Sequence, residues 1–136
     1  MRGYQMIRLI VVMLICVCSW PSHAAHRLIA TDDDGTQYYL DLSTRINKSP
    51  VVLVEVLMTS DKPDFTEGGV VFLSQVRETE YDCGRKMRRW RDVRMFSGQS
   101  GKGIMVASYQ SSDKWFPLKS GSIGDKLLSA ACSGLK

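Results

Sequence analysis

Histidine is nearly absent from this chain, with two in 136 residues, His23 and His26. A Ser-His-Asp or Cys-His site needs an imidazole packed against its partners. His23 falls in an N-terminal leader and His26 at the very start of the mature domain, so hydrolysis of that kind is excluded and no enzyme is expected. Cysteine is also scarce, at four residues. No apolar run reaches the roughly 20 residues that a membrane-spanning helix needs. There are no internal repeats and no low-complexity tract. The composition, 44% hydrophobic and 24% charged, excludes a disordered tail, and the length supports one domain.

What the sequence does have begins with an export signal. Arg2 and Arg8 precede an apolar run from Leu9 to Ser19, Trp20-Pro21 breaks it, and Ser22-His23-Ala24 offers the small residues that a signal peptidase reads. Residues 1–24 are therefore expected to be a secretory signal peptide and residues 25–136 the single mature domain, periplasmic or secreted. Cys16 follows Met13-Leu14-Ile15 and Cys18 follows Val17, where lipid attachment would want a small residue, so no lipid anchor is expected. Cleavage removes two of the 18 basic residues, leaving 16 against 14 acidic, a net charge near +2. It also leaves two cysteines, Cys83 and Cys132. In an oxidising compartment an even count reads as one disulfide. Two free buried thiols are the alternative.

Six stretches have strand character: Arg27 to Thr31, Thr36 to Leu42, Val51 to Met58, Val70 to Asp82, Met87 to Ser97 and Ile104 to Tyr109. Val51 to Met58 is apolar on both faces and reads as a central strand. Thr59 to Gly69, with Ser, Asp, Pro and two glycines, reads as a loop. The short connections require antiparallel pairing, because parallel crossovers need a dozen residues or more. Ser122 caps a closing helix on which Ile123, Leu127, Leu128, Ala131 and Cys132 form an apolar stripe. The expected fold is α+β: an antiparallel sheet of about six strands with a C-terminal helix packed on one face, tied there if Cys83 bonds Cys132.

Several motifs fail on inspection. Asp32-Asp33-Asp34-Gly35 resembles the start of a calcium loop, but the twelfth position holds Ser43 where an EF-hand needs glutamate, so it reads as a hairpin turn and no metal is expected. The Gly98–Gly103 stretch has Phe96 and Gly103 where a phosphate loop requires Gly and Ser or Thr. Glu78, Glu80 and Asp82 alternate along one side of a strand, an acidic stripe that cross-strand arginines can neutralise.

The exception is a basic run. Lys86, Arg88, Arg89, Arg91 and Arg94, with Arg85 before them, lie within ten residues. The apolar phase of that strand is mixed, which a bulge near Trp90 reconciles. Arginines around a tryptophan suit nucleic acid, but export removes that partner. Acidic protein or glycan surfaces fit the compartment. Ion pairing with the acidic strand is the competing reading.

The span from Tyr38 to Cys132 resembles the surface-adhesin protein E family of exported bacterial proteins. The likeness rests on Tyr39-Leu40-Asp41-Leu42, on Glu80-Tyr81-Asp82-Cys83 followed by basic residues, on Trp115 with Ser120-Gly121-Ser122, and on the helix ending at Cys132. The resemblance implies a six-stranded antiparallel sheet with a disulfide-held C-terminal helix, and a non-enzymatic adhesin that contacts host matrix proteins such as vitronectin and laminin. It also brings haem as a cofactor, for which one mature histidine is a poor complement. A periplasmic envelope-maintenance or inhibitor protein is the alternative role.

Overall fold

The computed structural model describes residues 26–110 and 113–135; the expected signal peptide, with Cys16 and Cys18, lies outside them. Six strands form an antiparallel meander in chain order: β1 His26–Thr31, β2 Gln37–Lys48, β3 Val51–Phe65, β4 Val71–Asp82, β5 Met87–Phe96 and β6 Met105–Gln110. A two-residue β7, Phe116–Pro117, pairs with the start of β5, adding a seventh strand to the six expected. The chain closes with α1, Ile123–Cys132.

Alternation decides which side chains meet α1. Val52, Val54 and Val56 on β3, Leu40 on β2 and Tyr81 on β4 share one face and are buried there. Leu127, Leu128 and Ala131 of α1 pack onto that surface. Ser122 caps the helix as expected, its Oγ accepting from the Asp125 amide at 3.2 Å. At the other end Arg45 donates to the carbonyls of Ala131 and Ser133, at 3.3 and 3.0 Å, taking up acceptors that the last turn leaves free. Cys83, just past β4, is bonded to Cys132, with Cα atoms 6.0 Å apart. The bond fastens the end of the helix to the end of the sheet.

Two strands run further than the sequence indicates. β2 continues to Lys48 across an irregularity between Asp41 and Ile46, where Thr44 Oγ1 accepts from the Glu55 amide at 2.9 Å and fills the gap in the ladder. β3 continues through Thr59 to Phe65, which corrects the expected loop there; only the Thr66–Gly69 segment turns. The extension is held by pairing of Asp64 and Phe65 with Phe72 and Val71 beyond a bulge. The short 3-10 turn Gln99–Gly101 also folds back onto this end of the sheet. Its Ser100 amide donates to Thr59 Oγ1 at 2.9 Å and its Gly101 amide to Ser74 Oγ at 2.8 Å. Gly101 has φ +72, a left-handed backbone that residues with a side chain rarely adopt, so glycine fits this turn.

Candidate functional site

The basic strand β5 is divided between two faces by one extra residue. Thr79 pairs with Trp90 and Glu78 with Asp92, so Arg91 has no partner on β4 and forms the bulge expected near Trp90. Before it, Arg88 and Trp90 share the helix-side face with Tyr81 and Thr79. After it, Val93 and Met95 take that face, opposite Arg77 and Gln75. Arg89, Arg91 and Arg94 emerge on the outer face, and Lys86 stands exposed at the turn with φ +55.

On the outer face the arginines meet carboxylates. Arg89 Nε donates to Glu80 at 2.6 Å, and Arg91 lies 3.5 Å from the other Glu80 oxygen and 2.6 Å from Asp113. Arg94 reaches Glu55 at 3.3 Å and Asp92 at 3.2 Å. Of the acidic stripe anticipated from alternation, Glu80 is neutralised in this way across the strands, whereas Arg94 pairs with Glu55 on β3 and with Asp92 on its own strand. Trp115 lies beneath two of the cations, with the Arg89 and Arg85 guanidinium carbons 4.5 and 5.6 Å from its ring centroid.

The other face of β5 has no such compensation. Arg88 and Arg77 lie over the Trp90 ring, at 4.8 and 4.2 Å. Arg77 donates from Nε and Nη2 to the Gln75 side-chain oxygen. Burial holds the Arg77 guanidinium below its ordinary pKa, and the nearby charge of Arg88 adds to this. Arg77 is a site residue that the sequence does not flag. Its only signal is parity: it alternates with Thr79 and Tyr81 on the side of β4 that faces the core.

The turn between β4 and β5 is organised by Asp82, which is 4% exposed. Its Oδ1 accepts from the amides of Gly84 and Arg85, and its Oδ2 from Arg85 Nε at 2.7 Å. The Arg85 amide and side chain together hold this carboxyl below the usual range. In the β1–β2 turn Asp34 is lowered to about 2 by its neighbour Asp32 and by hydrogen bonds that its Oδ1 accepts from the Thr36 amide and hydroxyl. Asp32 there accepts from the amides of Asp34 and Thr36 and from the Tyr38 hydroxyl, so these carboxylates organise a hairpin turn.

Both groups titrate lower in the folded chain than in the unfolded one. They add stability above about pH 4, the unfolded value, and lose it as pH falls through their folded values. Urea unfolding is expected to give a flat stability from neutral pH down to about pH 5 and a decline below about pH 4. Asp82→Asn should be less stable at neutral pH and show a shallower acid decline. An unchanged acid slope in that variant would remove Asp82 from the account.

Among the described residues no three His, Cys, Asp or Glu are grouped to hold a metal. The donors do not fit imidazole-ligated haem either. His26 lies at the edge of the sheet, 3.7 Å from Asp41, and Cys83 and Cys132 are bonded to each other.

The family model described as Surface-adhesin protein E matches residues 26–133. Solved structures of Haemophilus influenzae protein E are similar in fold. Crystal form II gives a TM-score of 0.65 at 11% identity, covering 80% of this chain and 87% of that one. The selenomethionine form gives 0.63 at 13% identity, covering 82% and 88%. No curated protein sequence matches the chain.

Proposed function

The chain belongs to the surface-adhesin protein E family, and from that premise we propose that it is an exported, non-enzymatic binding module for host matrix proteins. The contact surface is the turn and outer face of β5, with Lys86, Arg89, Arg91 and Arg94 as its cations; Arg88 lies on the helix-side face and is not part of it. One observation carries the site: exposed Lys86 and Arg91 flank Arg85 and Arg89, which stack on Trp115. Arginine and tryptophan are the residue types that most often dominate protein-contact energy. The carboxylates already beside Arg89, Arg91 and Arg94 temper the charge. An acidic partner therefore joins an existing network rather than meeting a bare positive stripe.

The test is surface plasmon resonance of folded, disulfide-bonded residues 26–136 over immobilised vitronectin and laminin. Saturable binding that weakens between low and physiological salt is expected. No binding to either protein by a folded sample contradicts the proposal.

A further inference from the structure

A groove of about 280 Å³ opens between the sheet and the first turn of α1. Its polar wall is Arg77, Tyr81, Arg88 and Trp90, its apolar floor includes Val56 and Met58, and Ile123, Gly124 and Leu127 close the helix side. Among the described residues Arg88 has no hydrogen-bond acceptor and no carboxylate within ion-pairing distance, and its Nε is buried without a partner. Arg85, Arg89, Arg91 and Arg94 each have a carboxylate. Tyr81 is 1% exposed and lines the groove beside Arg88.

The surroundings sharpen this imbalance. A Cβ on Gly124 would lie 3.1 Å from Arg88 Nη1 and 2.7 Å from Leu118 Cδ2. A guanidinium thus lies against the start of a helix, the end that carries partial positive charge. Ser122 caps Asp125, and Asp125 turns its carboxylate back to the Gly121 amide. Two arginines and a helix start converge, and none of the residues that line the groove is a carboxylate. Buried polar groups ordinarily find partners, and paired N–H donors of arginine match a carboxylate in geometry.

We propose that this groove binds the carboxylate of a small organic acid or of a peptide C-terminus, with Arg88 and Arg77 holding the charge and Val56, Met58 and Leu127 holding the apolar arm. Water occupies about 30 Å³ per molecule in the liquid, so the groove has room for roughly nine such volumes, enough for a carboxylate with a few carbons. The groove residues lie on the opposite face of β5 from the surface proposed above, so loss of matrix binding would leave this site standing.

The test is a titration of ¹⁵N-labelled residues 26–136 with sodium hexanoate, with N-acetyl-Gly-Leu, and with the C-terminal amide of that dipeptide. The readouts are the Arg88 Nε–H and Trp90 indole N–H resonances. Saturable shifts at both, with Kd of about 1 mM or tighter, are expected from at least one acid and not from the amide. Hexanoate alone would assign a free organic acid, the dipeptide alone a peptide terminus, and both the shared carboxylate. Arg88→Gln and Arg77→Lys should each weaken binding by roughly tenfold, about what 1.4 kcal/mol gives, while Lys102→Ala leaves it unchanged. The wild-type titration decides the question even if an arginine variant folds poorly. Absence of saturable shifts with both acids, or equal binding of the amide, would overturn the proposal.

Discussion

Replacing Cys83 and Cys132 together by alanine is expected to cost about 4 kcal/mol of folding stability. The bond joins residues 49 apart, and closing a loop of that length removes a correspondingly large conformational freedom from the unfolded chain. For a domain of this size the loss corresponds to a fall in Tm on the order of 15 °C. The damage should be uneven. A ten-residue helix has little stability of its own, and without the bond α1 keeps its apolar contacts and the Arg45 contacts to its last carbonyls. Amide exchange should therefore accelerate more in Lys126–Cys132 than in the β3–β4 ladder. A loss below about 1 kcal/mol, outside the usual range for a native disulfide, would mean that packing alone holds the helix.

Leu40→Ala is expected to cost about 3 kcal/mol, within the range for truncating a fully buried leucine. Leu40 is fully buried, at the centre of the cluster formed by Val54, Val56 and Tyr81 with Leu127, Leu128 and Ala131. Removing three carbons there leaves a cavity between β2 and α1 that neither rigid element can close. Leu28→Ala on β1 is the matched control, because Leu28 is about half exposed. Its cost should stay within about 0.5 kcal/mol. Urea unfolding of the two variants checks the contrast, and equal losses would mean that the core is not centred under the helix.

The parts legible in the sequence are those governed by local chemistry. The two apolar faces of Val51 to Met58 place β3 in the middle of the sheet, and Ser122 marks the start of α1. The broken phase around Trp90 announces a bulge, which falls at Arg91. Cys83 and Cys132, the two cysteines beyond the expected leader, meet as one bond. Illegible parts depend on partners distant in the chain. Thr59 to Phe65 has the composition of a loop, with Asp61, Lys62, Pro63 and Asp64, yet it is strand because Val71, Phe72 and the Gln99–Gly101 turn hold it. The basic run reads as one feature in sequence, whereas a single inserted residue sends Arg88 to one face and Arg89, Arg91 and Arg94 to the other. Arg77 has no flag in its neighbours and acquires meaning only beside Arg88 and Trp90.

The proposed matrix binding and the assigned surface are both tested in one comparison. Binding of residues 26–136 to immobilised vitronectin and laminin should be measured beside a variant carrying Lys86→Ala, Arg89→Ala and Arg91→Ala. Near-ultraviolet circular dichroism would verify the fold of both. Arg89 and Arg91 neutralise Glu80, which is 15% exposed, so some loss of stability is expected and the variant is compared only where it is fully folded. Saturable binding by the wild type and a loss of at least tenfold in the variant, about 1.4 kcal/mol, are expected. Undiminished binding by the folded variant would remove the outer face of β5 as the contact surface.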